Sequence, residues 1–146
     1  MAKIIAYTKA RDQYATYLLA TPPDVVCPEL CTLDGVTYVS LPDGAVLPPQ
    51  TAQIAASVEV VTPDAALRGQ ILADSTHCQL IDEQMRQTIR AAYPLEDELK
   101  FARIGVGAAM GMYSPTSDEV KAMTVFGEFV ESVRQWGRDE RAKLGL

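Results

Sequence analysis

Histidine and cysteine are scarce in this sequence, and basic residues are outnumbered by acidic ones. The 146 residues include one His and three Cys, with 13 Lys and Arg against 19 Asp and Glu and a formal net charge of −6. Catalysis that needs an imidazole can use only His77, and an odd number of cysteines does not indicate a disulfide framework. The acidic balance argues against a nucleic-acid-binding surface, which needs cations to replace counterions along the phosphates.

The sequence also lacks a long apolar run. The stretch 104–113 is about half as long as the ~20 apolar residues that a membrane helix requires, and residues 1–13 lack the apolar segment of a signal peptide. We therefore expect synthesis in the cytosol and no membrane contact. Hydrophobic residues make up 48% of the chain, which is enough to build a core without disulfides. For this length we expect one compact domain with two lobes.

The pattern of residues 1–61 predicts a β-rich N-terminal lobe. Short apolar runs indicate strands, and two Asp-Gly pairs indicate the turns of a small β-meander. Thr8 provides an N-cap for a helix that Pro22 and Pro23 end. The predicted elements are a strand at Lys3–Tyr7, a helix at Lys9–Ala20, the meander within Glu29–Pro49 and a strand at Gln53–Val61.

The pattern of residues 62–146 predicts a helical C-terminal lobe with three helices. Thr62 followed by Pro63 and an acidic residue is typical of a helix start. An apolar stripe then runs at helical spacing, and Asp74-Ser75 interrupts it, so a break or kink is expected there. The stripe comprises Leu67, Ile71, Cys78, Ile81, Met85, Ile89 and Ala92.

Two further helices complete this lobe. The first spans Leu95–Ile104, with acidic residues in its first turn as a helix dipole favours. The second opens with Thr116 and Glu119 at the spacing of a capping box. Its predicted apolar face comprises Ala122, Val125, Phe126, Phe129, Val133 and Trp136. Strands followed by a run of helices indicate the α+β class: a strand, a helix and a β-meander, followed by a three-helix half.

The glycine-rich run from Ile104 to Met112 leaves two structures open. It is either a helix whose small residues permit close packing, or an apolar loop wedged between subunits. Its glycines also resemble the spacing of a nucleotide-binding loop, but no strand precedes them and no helix follows directly, so that signal is weak. In either structure the apolar side chains need cover, and we predict an interface at Ile104, Val106, Met110 and Met112.

Residues of zinc-ligand type occur at four positions, but their spacing is poor. Cys27 and Cys31 enclose a proline, while His77 and Cys78 are adjacent, so both side chains of the second pair rarely reach one ion. Three buried thiols and a surface histidine are the simpler interpretation. The acidic run 96–98 is explained by a solvated helix N-terminus. We therefore expect no metal, no cofactor and no catalytic residue.

Three short segments near the C-terminus carry a family resemblance. They are Tyr93–Lys100 (YPLEDELK), Val133–Arg138 (VRQWGR) and Ala142–Leu146 (AKLGL). Over the last third of the chain, they resemble small bacteriophage and prophage proteins of the tail and tail-fibre region. The resemblance implies a non-enzymatic virion structural protein that is synthesised in the host bacterial cytoplasm, associates with itself and binds other phage structural proteins.

Two alternatives stay open beside the virion protein. One is an assembly chaperone that holds a tail or fibre protein and is absent from the finished particle. The other is a small metal- or nucleotide-dependent enzyme, which would use the zinc-type residues or the glycine-rich run.

Overall fold

The computed structural model describes residues 1–146 and confirms the α+β class. Six strands precede or interleave with one short helix, and four longer helices follow. The strands are β1 (Lys3–Tyr7), β2 (Ala10–Arg11), β3 (Thr16–Tyr17), β4 (Glu29–Leu33), β5 (Val36–Leu41) and β6 (Glu59–Val61). The helices are α1 (Ala52–Ala55), α2 (Ala65–Asp74), α3 (Thr76–Ala92), α4 (Leu95–Ala109) and α5 (Ser117–Lys143).

The main sheet has four strands in the order β4-β5-β1-β6, and its strand pairs are antiparallel. The predicted Asp34-Gly35 turn joins β4 to β5, with both residues at positive φ, as a two-residue hairpin loop requires. Across this hairpin, the hydroxyls of Thr32 and Thr37 lie 2.9 Å apart and share a hydrogen bond. The sheet thus has β1 and β5 at its centre.

Apolar residues cover both faces of this sheet, which explains why four consecutive residues of β1 are buried. On one face, Ile4 and Ala6 belong to a cluster completed by α2 and by the end of the chain through Ile71, Leu67, Leu144 and Leu146. On the other face, Tyr7 and Val39 pack with Ile54 of α1.

The predicted helix at Lys9–Ala20 is wrong, because this segment forms the β2-β3 hairpin. The carboxylate of Asp12 holds the turn, since one oxygen accepts from the backbone N–H groups of Tyr14 and Ala15 at 2.8 and 2.9 Å. Its other oxygen accepts from the Tyr17 hydroxyl at 2.7 Å. Side-chain bonds of this kind compete with a helix for the backbone donors.

The predictions for the meander and for the strand at Gln53–Val61 are partly wrong. After β5 the chain makes its turn at Gly44, which has a positive φ, but no third meander strand follows in the proline-rich segment. Residues 52–55 form α1, and only Glu59–Val61 forms a strand. Ile54 is drawn into the core there, where it is 1% exposed.

The predicted break in the first helix is confirmed. α2 begins after Asp64, whose side chain accepts from Leu67 N at 2.8 Å, so Asp64 is the cap rather than Thr62. The helix ends at Ser75, which has extended backbone and is fully buried. α3 starts at the next residue, and Ser75 Oγ accepts from Cys78 N at 3.4 Å.

The chain forms two compact units, and neither ends at the predicted boundary between residues 61 and 62. Unit 1 comprises Met1–Ile81 and Asp139–Leu146, and unit 2 comprises Asp82–Arg138. Helix α2 belongs to unit 1 because it packs its apolar residues on the sheet, and the last residues of the chain belong there because they return to the same cluster.

Unit 2 is built around an aromatic cluster. The ring of Tyr93 lies edge-on to that of Phe126 at 4.9 Å and contacts the rings of Phe129 and Phe101 at 5.5 and 6.2 Å. Phe101 stacks on Phe126 at 5.0 Å. These contacts join α4 and α5 to the end of α3.

The start of α5 is confirmed, but its predicted apolar face is only partly buried. Thr116 Oγ1 accepts from Glu119 N at 3.2 Å, and Glu119 Oε1 accepts from Thr116 N at 3.3 Å, which is the predicted capping box. Phe126, Phe129, Val133 and Trp136 are buried or half-buried. Ala122 and Val125 are exposed, because the buried face turns through Met123 instead.

Candidate interaction surface

The glycine-rich run is helical as far as Ala109, which decides between the two structures left open by the sequence. Gly111 has φ +70° just after the helix, where a left-handed residue ends it, and Met112 N donates to Gly107 O at 2.9 Å. The glycines lie in or at the end of a helix rather than in a loop between a strand and a helix. They therefore do not form a phosphate-binding loop.

Two of these glycines meet neighbours inside unit 2. A Cβ atom on Gly105 would lie 3.4 Å from the terminal methyl of Met123, and one on Gly107 would lie 3.1 Å from Cβ of Tyr113. The small residues thus allow α5 and the chain after α4 to come close. Gly105 and Gly107 therefore pack within unit 2 and do not provide a contact surface for another subunit.

Helix α4 is apolar on two faces. Its inner face carries Ile104, which is buried, and Phe101, whose ring packs in the aromatic cluster. Its outer face carries Leu95, Leu99, Ala102, Val106 and Met110, which we call the α4 surface. The four large side chains of this set are 52%, 44%, 59% and 68% exposed in chain order. At 100° per residue they share one side of the helix.

A shallow depression of about 430 Å³ lies along the α4 surface. Its lining is mostly aliphatic and includes one charged residue, Arg103. The lining residues are Leu99, Ala102, Arg103, Val106, Gly107, Met110 and Met112. A wide, open and apolar depression suits the contact of another protein surface better than the enclosure of a small molecule.

Three of the four predicted interface residues lie at this surface. Val106 and Met110 belong to the α4 surface, and Met112, just beyond the helix, is 79% exposed. Ile104 is different, since it is only 8% exposed and packs within unit 2. It is not accessible to a partner, because the helical turn directs residue 104 away from residues 102 and 106.

Sequence reasoning missed the first half of this surface. Leu95 and Leu99 lie in the segment that was assigned to an ordinary charged helix. The available signal was the spacing of residues 95, 99, 102 and 106, which continues one apolar stripe through the glycines.

Two charged residues of opposite sign border the α4 surface. Glu96 and Arg103 are seven residues apart and therefore lie on the same margin of the stripe. Neither forms an ion pair within the chain. The carboxylate of Glu98 is engaged differently, since it lies 3.4 Å from Arg90 of α3.

The zinc-type residues are not brought together. Cys27 packs against the sheet face that contains Tyr7 and Val39, while Cys31 packs against the opposite face. No group of three or more His, Cys, Asp or Glu side chains is placed to hold a metal ion. Burial raises the pKa of both thiols, with nearby Asp74 adding to the effect at Cys31, so both are held as protonated thiols.

His77 lies at the surface of unit 1, beside a depression of about 200 Å³. Leu80, Ile81 and Leu144 supply its apolar lining, with Glu140 and Lys143 at the rim. Lys143 Nζ lies 2.6 Å from Glu140 Oε1, so these two charges pair with each other.

Comparisons with known proteins give no relative from which a site could be transferred. No family model matches the chain, and no curated protein or solved structure is found to be similar to it. None of the helices combines the length and the apolar character needed to span a membrane.

Proposed function

We propose that this chain is a non-enzymatic structural protein of a bacteriophage virion, associated with the tail or tail fibre, that works by binding proteins through the α4 surface. The observation that carries the proposal is the exposure of Leu95, Leu99, Val106 and Met110 on one side of one helix. A contiguous apolar stripe of this kind is typical of a protein-protein contact.

The geometry suits binding because the exposed stripe is held on an ordered element. Ile104 and Phe101 fix α4 from its inner side, so the helix need not become ordered when a partner arrives. Each of the four large side chains is about half exposed. Covering one of them with a partner would therefore contribute roughly 1 kcal/mol to the free energy of binding.

The virion setting rests on the resemblance of the last third of the chain to small tail-region proteins. The segment Tyr93–Lys100, which carries part of this resemblance, contains the start of α4 and two residues of the α4 surface. The expected partners are copies of this chain and other phage structural proteins, and the expected location is the virion after synthesis in the host cytoplasm.

The proposal is tested by placing a charge in the α4 surface. Met110→Asp and Val106→Asp should abolish assembly, measured by native mass spectrometry and by incorporation into particles, because a buried unpaired carboxylate opposes association. Val125→Asp is the matched control, since Val125 is a similarly exposed residue of unit 2 on α5. Unchanged incorporation of both α4 variants would overturn the proposal.

A second candidate function is an assembly chaperone that covers a tail or fibre protein and then leaves. The two exposed methionines at the end of α4 favour it, because flexible Met side chains adapt to different partners. Quantitative mass spectrometry of purified particles separates the two functions. A structural protein is present at a fixed copy number, whereas a chaperone is absent.

A further inference from the structure

We infer that the α4 surface is covered by the α4 surface of a second copy of this chain, with the two helices packed antiparallel. This inference rests on the proposed function, in that it names one partner of the same surface. It follows from the spacing of the apolar residues and from the two charges that border them.

The spacing is that of a helix that pairs with another helix. Residues 95, 99, 102 and 106 are separated by four, three and four positions, which matches the a/d spacing of a coiled coil over about one and a half heptads. The small residue Ala102 lies within the stripe and lets two helices approach closely there.

The bordering charges select the antiparallel orientation. In a parallel pair, the residues of this margin would lie on opposite sides of the seam, so Glu96 would have no Arg103 within reach, and Arg103 would face Glu98, which already lies 3.4 Å from Arg90. In an antiparallel pair with Leu99 opposite Ala102 of the second copy, Leu95 meets Val106, and Glu96 lies near Arg103 of the second copy. The two-fold axis repeats this favourable contact, so it occurs twice.

The two charges have no competing role within the chain. Neither Glu96 nor Arg103 has an ion-pair partner in unit 2, although neighbouring Glu98 has one in Arg90. Both side chains are exposed and Arg103 lines the depression on the α4 surface. They are therefore available to a second copy at the margin of the stripe.

Charge reversal tests this arrangement. Glu96→Arg and Arg103→Glu, each alone, should lower the self-association constant by about tenfold, because two attractive contacts become repulsive in each homodimer. Mixing the two variants should restore association, since both contacts of the mixed pair then join opposite charges. The double variant should self-associate like the original chain. Sedimentation velocity over a concentration series measures all four samples.

The matched control uses another charged pair seven residues apart. Lys121→Glu and Glu128→Arg reverse exposed charges on α5 without touching the α4 surface, so self-association should stay unchanged. A chain that is monomeric at every concentration, or a mixture that associates no better than its components, would overturn the inference.

Self-association in solution and incorporation into particles are separate measurements, so this inference and the proposed function can fail independently. If the chain is found in particles at a fixed copy number but is monomeric in solution, the virion function is supported and the antiparallel pair is contradicted. If the variants follow the charge-reversal pattern but the chain is absent from particles, the antiparallel pair is supported and the virion function is contradicted.

Discussion

The side chain of Met85 on α3 occupies the space into which a Cβ atom on Gly137 of α5 would project. Gly137 is buried, and the missing side chain is what lets the methionine pack against the α5 backbone. A helix-interior glycine is costly in itself, so its presence here reflects close packing rather than helix propensity.

Gly137→Ala should therefore lose the ordinary helix gain of about 1 kcal/mol and destabilise unit 2 by up to about 1 kcal/mol, because the added methyl displaces the flexible end of Met85. Gly127 is the matched control on the same helix, since a Cβ atom there would meet nothing within 4 Å. Gly127→Ala should raise the free energy of unfolding by about 1 kcal/mol. Urea unfolding followed by circular dichroism measures both. In a Met85→Ala background, Gly137→Ala should become stabilising, and equal costs in the two backgrounds would contradict the packing explanation.

Phe126 is the centre of the aromatic cluster, since its ring lies 4.9 Å from Tyr93 and 5.0 Å from Phe101. Phe126→Ala should lower the free energy of unfolding by about 3 kcal/mol, through lost burial and lost ring contacts. Val125→Ala, on the exposed side of the same turn, should change it by less than about 0.5 kcal/mol. Similar effects of the two substitutions would show that the cluster does not hold unit 2 together.

Ser40 carries a buried hydroxyl with no hydrogen-bond partner. Ser40→Ala should leave stability unchanged or raise it by about 1 kcal/mol, because an unpaired buried polar group opposes folding. Thr37→Val, at a buried position three residues earlier on the opposite face of the same strand, should be destabilising, since it breaks the 2.9 Å bond to Thr32. Thermal unfolding measures both, and a clear loss of stability in Ser40→Ala would show that the hydroxyl has a partner in solution.

The capping box makes the stability of unit 2 depend on pH in the acid range. The hydrogen bond from the Tyr113 hydroxyl, at 2.8 Å, lowers the pKa of Glu119, and the bonds to Thr116 lower it further. The carboxylate is thus favoured in the folded state. Its contribution is fully present above the ordinary glutamate pKa of about 4.3 and is lost as pH falls through the lower folded value.

Glu119→Gln should flatten this acid dependence, whereas Asp118→Asn on the same helix turn should affect it less. Thr116→Ala should cost about 1 kcal/mol at neutral pH through loss of the cap. Urea unfolding measures these effects at several pH values between about 3 and 7, a range that includes the ordinary glutamate pKa. An unchanged pH profile in Glu119→Gln would mean that other carboxylates dominate.

Chelators should leave the melting temperature unchanged. Cys27 and Cys31 pack on opposite faces of the sheet and therefore cannot both bind one ion in this fold. A thermal shift assay with and without a chelator, together with metal analysis of the purified chain, measures this. A chelator-induced loss of stability would contradict this and would indicate that His77 and Cys78 bind a metal ion in a rearranged fold.

Local signals in the sequence were sufficient where the structure is held by local bonds. The Asp34-Gly35 turn, the Thr116-Glu119 box and the break at Ser75 each depend on residues within a few positions, and each is confirmed. The hairpin from Ala10 to Tyr17 was missed although its cause is also local. Asp12 bonds to the backbone of its own turn, whereas the Thr8 cap and the two prolines indicate a helix.

Non-local packing accounts for the remaining differences. Which side of α4 is buried depends on where α5 lies, so the sequence alone could not separate Ile104 from Val106. The division into units depends on the return of Leu144 and Leu146 to a cluster that begins at Ile4, and no short-range pattern indicates it.

The packing of Leu144 and Leu146 against the cluster that contains Ile4 also affects the sequence in which the units can form during synthesis. Gly145, at φ +87°, sits where a Cβ atom would lie 3.1 Å from Ile4 Cδ1, so nearly the whole chain length separates two groups in contact. The ribosome makes the central strand first and the leucines that cover it last, while the helices of residues 82–138 emerge in between. Residues 82–138 are therefore synthesised while one face of the sheet is still uncovered, and Leu144 and Leu146 complete the cover of that face afterwards.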